Sequence, residues 1–211
     1  MLLQVLTSSE PLSAKLPFVL SWLVAVTVAL TIHEFAHAKR ADMAGDPTPR
    51  MNGRVSLNPL DHYDMIGTTM ILLFGMGWGK PVPINPVLFR RPRIDGIMVA
   101  LWGALANFIT AAVFAIPLRV GVAGEYALPL MLIVWLNILL GCFNLLPVGP
   151  LDGQAVVSGL LPVHSARRFD EFSMRWGLLL LIVVIFSPLG RTLILTPAHA
   201  LLYLLTGISL F

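Results

Sequence analysis

Long runs without any charged residue constrain this chain more than any other feature. They occupy residues 16–32, 96–118, 126–151, 176–190 and 192–211. A helix that crosses the hydrocarbon core of a bilayer needs about 20 predominantly apolar residues. Three of the runs reach that length, the first reaches it if its helix continues to residue 38, and residues 172–174 can extend the fourth. The runs therefore predict helices that cross a membrane.

The composition supports the same reading. Apolar residues make up 57% of the 211 residues and charged residues only 12%, whereas a typical soluble domain has about 25% charged residues. The mean hydropathy is +0.83. A soluble globule of this size could not bury so much apolar surface, and disorder is excluded. The single cysteine, Cys142, excludes a disulfide framework and a CxxC metal site.

We therefore expect an all-α polytopic membrane protein with five to six transmembrane helices and a short re-entrant or β-hairpin element. The uncertain sixth segment is residues 65–79, which contain glycine at positions 67, 75, 77 and 79. It is short for a crossing, so we prefer a re-entrant segment. Residues 54–57 lie between proline and glycine turn formers, and this pattern predicts a short hairpin.

The positive charges predict the orientation. If residues 65–79 do not cross, 11 of the 14 lysines and arginines lie on one side of the membrane, and only Lys15, Arg119 and Arg191 lie opposite. Positive charge accumulates in cytoplasmic loops. We expect an outside amino terminus, an inside carboxy terminus and a multi-pass protein of the cell membrane, with a bacterial plasma membrane as the working assumption. The basic residues form no patch with interleaved aromatics, so we expect no nucleic-acid partner.

The sequence His33-Glu34-Phe35-Ala36-His37 reads HExxH near the end of the first apolar run. On a helix, positions i and i+4 share a face, so both imidazoles can meet one metal ion. Glu34 lies beside them, where a carboxylate can take a proton from metal-activated water. The alternative is a pair of surface histidines with an incidental glutamate. Three ionisable groups at membrane depth are costly without such a role, which favours the metal site.

Two histidines leave a catalytic zinc ion one protein ligand short. The aspartates of the polar loop 39–64 are expected to be solvated, and Glu125 lies in a loop on the opposite side. Asp152 is the best candidate, because it follows the 126–151 run on the same predicted side as HExxH. Prolines 147 and 150 and Gly149 interrupt the helix just before it. Its alternative role is to cap the helix that follows Gly153.

HExxH in one membrane helix, together with the NxxPxxxxDG pattern of residues 144–153, resembles the site-2 protease family of intramembrane zinc metalloproteases (peptidase M50). Residues 77–85 resemble the GWxKPVPxN segment of its smaller members. Residues 103–107 resemble the family's GPxxN motif, with Ala104 where proline is usual. The resemblance covers roughly residues 16–160. We expect no PDZ or CBS domain, so the chain resembles the minimal group.

The resemblance implies one Zn²⁺ per chain, held by His33, His37 and Asp152, with Glu34 as the catalytic base. It also implies that Asn144 lies near the substrate. Two further readings concern substrate binding. Gly75 and Gly77 could expose an edge for a substrate strand, or they could form a plain turn. Asn107 and Asn137 could line the active cavity or form hydrogen bonds between helices.

The expected function is zinc-dependent hydrolysis of peptide bonds in or near transmembrane segments of other membrane proteins. The expected partners are a transmembrane-helix substrate and the lipid bilayer. We expect one intramembrane metalloprotease domain over residues 1–211, with a core at 16–160 and extra helices at 172–211. The alternatives are a membrane zinc transporter or sensor, which has no need for Glu34, and a catalytically inactive relative.

Overall fold

The computed structural model describes residues 5, 7, 9, 11–74 and 77–209. Within these residues the regular structure is helical, with no β-strand. The α-helices are α1 (Leu12–Ala44), α2 (Thr48–Met51), α3 (Met65–Phe74), α4 (Pro92–Arg119), α5 (Ala127–Asn144), α6 (Asp152–Leu160), α7 (Val163–Phe186), α8 (Pro188–Gly190) and α9 (Thr196–Thr206). A π-helical turn, Arg191–Leu195, joins α8 to α9. The predicted all-α class is confirmed.

Among the residues that the structure describes, four helical stretches are long and apolar enough to cross a membrane: Ser13–Ala44, Pro92–Arg119, Gly124–Asn144 and Pro188–Thr206. Large apolar side chains on the outer helices remain exposed, for example Phe186 at 76% and Leu204 at 70%. Exposed apolar surface of this extent is stable in lipid and unstable in water. The chain is a membrane protein.

The predicted number of five to six crossings is not confirmed. The fourth apolar run lies in α7, whose first half carries charged residues, so only residues from Trp176 to Phe186 are continuously apolar. The first ten residues of the predicted re-entrant segment 65–79 form α3, and residues 75 and 76 lie outside the described residues. At 1.5 Å per residue, α3 is about 15 Å long, half the hydrocarbon thickness. Its re-entrant character stays a prediction.

The centre of the protein is a bundle of α1, α4 and α5. Trp22 and Ala25 of α1 pack with Leu132 and Ile133 of α5, and small residues line the contacts with α4. At one of them, Gly141 lies directly against the Phe108 ring. Membrane helices approach closely where small residues meet, because van der Waals packing and polar contacts hold them together. This close packing brings the polar end of α1 against α4.

The second apolar cluster attaches the carboxy-terminal helices to this bundle. Leu181 of α7 and Ala198 and Leu202 of α9 pack against Val134 and Ile138 of α5. The chain between α5 and α6 is not helical, because Pro147 and Pro150 cannot continue the helix. Asp152 therefore begins a new helix at the edge of the bundle, as the prolines predicted.

The predicted hairpin at residues 54–57 is not confirmed. These residues form an irregular loop between α2 and a 3₁₀ turn, Pro59–Asp61. The loop instead holds the non-helical segment at residues 79–85. The Arg54 guanidinium donates hydrogen bonds to the carbonyl oxygens of Lys80 and Pro81. At the other end, Asp46 accepts from the backbone N–H of Asn85 at 2.7 Å.

Asp46→Ala should make the non-helical segment at residues 79–85 more mobile at its carboxy-terminal end. The Asp46 carboxylate is fully buried and also accepts from the Thr48 N–H at 3.0 Å, and hydrogen bonds to a charged acceptor contribute about 1.5–3 kcal/mol each. We expect the Asn85 amide to exchange its hydrogen at least about tenfold faster, measured by hydrogen–deuterium exchange.

Asp61→Ala is the matched control, because its carboxylate makes no hydrogen bond within the described residues. Equal exchange at Asn85 in the two variants would contradict the role assigned to Asp46.

Candidate metal centre

His33 and His37 lie one turn apart on the buried face of α1. Their exposed fractions are 5% and 6%, and their ring centroids are 4.6 Å apart with the planes nearly perpendicular. The two Nε2 atoms are 3.0 Å apart. The spacing of HExxH thus brings the imidazole nitrogens to one point, as the helical period predicts.

Asp152, the first residue of α6, reaches the same point from a helix more than 100 residues later in the chain. Its Oδ2 atom is 3.2 Å from Nε2 of His33 and 3.1 Å from Nε2 of His37. In the described part of the chain, these three residues form the only such group of potential metal ligands. Ligand atoms of a tetrahedral zinc ion, each about 2.0–2.1 Å from the metal, lie about 3.3 Å apart.

The outer nitrogens of both rings show that the inner ones are free to bind a cation. Nδ1 of His33 is 2.7 Å from Oδ1 of Asn107, and Nδ1 of His37 is 2.8 Å from the carbonyl oxygen of Val99. Because these oxygens accept, both Nδ1 atoms donate. In a neutral imidazole the Nε2 atom then carries a lone pair. Two lone pairs and a carboxylate oxygen converge, so the donor set fits a divalent cation.

Asn107 lies behind His33 rather than in a cavity. It is fully buried on α4, and its Nδ2 donates to the carbonyl oxygen of Ala29 and to Oδ1 of Asn137. Asn137 in turn donates to the carbonyl oxygen of Ile133. Of the two predicted alternatives, the structure shows hydrogen bonds between helices. The substrate-binding role predicted for Asn107 is not supported, because both polar atoms of its side chain are already occupied.

Gly103 determines how closely α4 approaches the two rings. A Cβ atom at this position would lie 2.7 Å from Cε1 of His33 and would overlap Nε2 of His37. The sequence identified Gly103 only as part of a motif, with no specific role. In the structure, the absence of a side chain at Gly103 lets α4 lie close to both imidazole rings, and the positions of the rings depend on this contact.

Glu34 lies beside the histidines on α1 and is half-buried. Within the described residues, no hydrogen bond or ion pair occupies its carboxylate. Gly79 is its close neighbour, since a Cβ on Gly79 would lie 3.4 Å from Oε1 of Glu34. The carboxylate therefore faces the 79–85 segment and is free to accept a proton. Sequence reasoning missed Gly79 because it shares no motif with HExxH.

Arg54 adds a buried positive charge near this carboxylate. Its residue is 4% exposed, and its Nε atom has no hydrogen-bond partner among the described residues. Burial lowers the pKa of the Arg54 guanidinium, while the negative charges of Glu34 and Asp61 raise it in part. An arginine remains protonated under these conditions, so it contributes a fixed positive charge near Glu34.

The remaining predicted site residues are Asn144, Gly77 and Gly75, each expected to contact the substrate. Asn144, at the end of α5, donates to the carbonyl oxygen of Leu140 in its own helix at 3.0 Å. Gly77 packs against Gly67 and Ile71 of α3. Gly75 lies outside the described residues. The substrate-binding roles of Asn144, Gly75 and Gly77 stay predictions.

Comparisons with known proteins agree with this site. The model of peptidase family M50 matches residues 120–184, which include Asn144 and Asp152. "Putative zinc metalloprotease YwhC" of Bacillus subtilis (strain 168) is 34% identical over 177 residues, covering 79% of this chain and 80% of the relative. The chain belongs to peptidase family M50. The resemblance to site-2 proteases is therefore confirmed.

A second relative in this family, "Putative zinc metalloprotease Rip2" of Mycolicibacterium smegmatis, is 28% identical over 195 residues, covering 85% of this chain and 71% of the relative. No solved structure matches the chain significantly. As a peptidase-family member with a His-His-Asp donor set, the protein has zinc as its implied cofactor.

Gly103→Ala should remove the bound metal. The added methyl group would push the two rings out of position, and overpacking of this kind costs about 1–3 kcal/mol. We expect zinc content, measured on the purified protein by atomic absorption, to fall well below one ion per chain.

Gly96→Ala, on the same helix, is the matched control because a Cβ there meets no atom within 4 Å. Full zinc content in the Gly103 variant would contradict the close-approach argument.

Proposed function

We propose that this protein is a zinc-dependent intramembrane endopeptidase that cleaves transmembrane segments of other membrane proteins. The meeting of His33, His37 and Asp152 beside a free Glu34 carboxylate is the observation that carries the proposal. The names of the two relatives, both zinc metalloproteases, support the chemistry. The apolar helices that surround the site support its action within the membrane.

His33, His37 and Asp152 would hold the zinc ion. When bound, zinc would act as a Lewis acid: it would polarise a substrate carbonyl and lower the pKa of water, so that a base can remove the proton of the attacking water. Asn107 and the carbonyl of Val99 keep the two imidazoles in the tautomer that binds metal through Nε2. Asp152 brings one negative charge to a buried position that would otherwise hold an uncompensated cation.

Glu34 acts as the general base and acid. Its carboxylate accepts a proton from the attacking water and then delivers it to the amine that leaves when the peptide bond breaks. A carboxylate held by an ion pair or hydrogen bonds is a weaker base, and Glu34 has no such partner within the described residues. Arg54 supplies a buried positive charge near the Glu34 carboxylate.

The substrate is a transmembrane helix that unwinds before cleavage. A helix hides its amides in its own hydrogen bonds, so the scissile bond must first become extended. A non-helical segment beside the site can hold such a strand by backbone pairing. Residues 75–86 or the loop at 52–58 are the proposed edge, and Asn144 is the proposed side chain that contacts the substrate or the developing oxyanion.

The proposed placement in the membrane follows the charges. The amino terminus lies outside, the carboxy terminus inside, and the site nearer the cytoplasmic face of a bacterial cell membrane, because 11 of the 14 basic residues then lie inside. The proposed placement includes a fifth crossing, formed by the fourth apolar run (176–190) extended by residues 172–174, and a re-entrant α3. The whole chain forms one domain, with a core at 16–160 and added helices at 172–211.

Glu34→Gln separates the protease from a zinc transporter or sensor. The amide cannot accept the proton, so cleavage of a transmembrane substrate with a helix-breaking residue, in proteoliposomes, should fall by about a hundredfold or more. Zinc content should stay near one ion per chain, because Glu34 is not among the proposed ligands.

Glu125→Gln is the matched control, since Glu125 lies exposed in a loop far from the site. Undiminished cleavage in the Glu34 variant would refute the proposed mechanism, and the absence of cleavage by the wild-type protein on every such substrate would favour an inactive relative.

A further inference from the structure

We infer that Arg93 and Asp170 are positioning residues for the metal ligand Asp152, acting as a clamp on α6. The inference rests on the proposed metal centre. Neither residue belongs to the motifs that identify the family, and neither contacts a proposed ligand directly. Each binds α6, the short helix whose first residue is Asp152.

The position of α6 cannot be set by the helix before it. Residues 145–151 are not helical, so α5 and α6 are not one rigid rod. The helix has nine residues and is about 13.5 Å long, and isolated helices of this length are marginal. Gly153 packs against the carbonyl oxygens of Leu145 and Leu146 at the start of α6. The tilt and rotation of the rest of α6, which direct the Asp152 carboxylate, depend on its contacts with α4 and α7.

Arg93, in the first turn of α4, holds the carboxy-terminal end of α6. Its Nε atom donates to the carbonyl oxygen of Gly159 at 2.5 Å, and its Nη2 atom donates to those of Leu160 at 3.0 Å and Leu161 at 2.5 Å. The last carbonyls of a helix have no partner within the helix, and a cation there also complements the helix dipole. One side chain thus binds the end of α6 opposite Asp152.

Gly159 makes this contact possible. A Cβ at this position would overlap the side chain of Ile97, one turn after Arg93 on α4. The absence of a side chain lets the last turn of α6 lie directly on α4. The distance between the two helices at this end is therefore fixed by contact as well as by hydrogen bonds.

Asp170, on α7, holds the side of α6. Its Oδ1 atom accepts from Nε2 of Gln154 at 2.6 Å, and its Oδ2 atom accepts from Oγ of Ser158 at 2.9 Å. Gln154 and Ser158 are four residues apart and share one face of the helix. A carboxylate that binds both fixes the rotation of α6 about its own axis, and that rotation determines the direction in which Asp152 points.

Together, the two residues set both the tilt and the rotation of α6. Partners outside the ligand sphere change metal affinity by about 10- to 100-fold when they are lost, because a ligand out of position binds less well. The same displacement would matter for the reaction, since a shift of about 1 Å in a site can cost about a hundredfold in rate. The clamp therefore connects the packing of α6 to the position of the metal ligand Asp152.

The test measures metal binding in the purified full-length protein in detergent. Asp170→Ala and Arg93→Gln each remove one side of the clamp, and either variant that folds decides the question. The readouts are the Zn²⁺ dissociation constant, from competition with a chelator, and the visible spectrum of the Co²⁺-substituted protein, which reports ligand geometry. Gel filtration and helical circular dichroism confirm that each variant is folded.

We expect each variant to bind Zn²⁺ at least about tenfold more weakly and to show an altered Co²⁺ spectrum. Asp170→Asn can still accept from Gln154 and donate to Ser158, so its affinity should stay within about threefold of wild type. The matched controls are Glu171→Gln, whose ion pair with Arg167 is exposed, and Arg90→Gln, whose guanidinium has no hydrogen bond within the described residues. Both should match the wild type.

Unchanged affinity and an unchanged spectrum in the folded Asp170→Ala and Arg93→Gln variants would overturn the clamp. Asp152→Ala separates this result from a failure of the proposed metal centre. If wild type binds zinc and Asp152→Ala does not, the centre stands and the clamp alone is wrong. If wild type binds no zinc, or Asp152→Ala binds it as tightly as wild type, the proposed centre is wrong and the clamp falls with it.

Discussion

Three ligand atoms that lie within about 3.2 Å of one another control the rest of this structure. Two imidazole lone pairs and a carboxylate oxygen repel each other at this distance unless a cation lies between them. Burying them among apolar helices is costly, and that cost is met by the cation and by hydrogen bonds to the outer atoms of the rings. The close packing of α1, α4 and α5 brings the partners of these groups into place, since Asn107 and the Val99 carbonyl both lie on α4.

Each helix contributes to the site in a different physical way. The histidines come from one long helix, so their spacing is rigid. Asp152 comes from a short helix after a break, so its position depends on tertiary contacts. Between them lies Gly103, where the absence of a side chain lets α4 approach both rings. The site thus combines a rigid pair of ligands, His33 and His37, with a third ligand, Asp152, that is positioned separately. The close contact of α4 with the two rings occurs at Gly103.

Much of this site follows from the sequence, because HExxH has a helical period and Asp152 follows a proline-interrupted run. The sequence could not show which way the buried amides point, so it left open whether Asn107 lines the active cavity or forms hydrogen bonds between helices. In the structure the Asn107 side chain contacts His33. Nor could it show Gly79 beside Glu34, since that contact joins distant segments. The predicted hairpin is not seen because Arg54 bonds to carbonyls of residues 80 and 81 rather than to a neighbouring strand.

The most direct test is X-ray absorption spectroscopy at the zinc edge of the metal-loaded protein, compared with its Asp152→Ala variant. The account predicts a shell of nitrogen and oxygen ligands at about 2.0–2.1 Å, with scattering from two imidazole rings in both proteins and a changed first shell in the variant. A spectrum without two imidazoles, or a first shell identical in the two proteins, would contradict it.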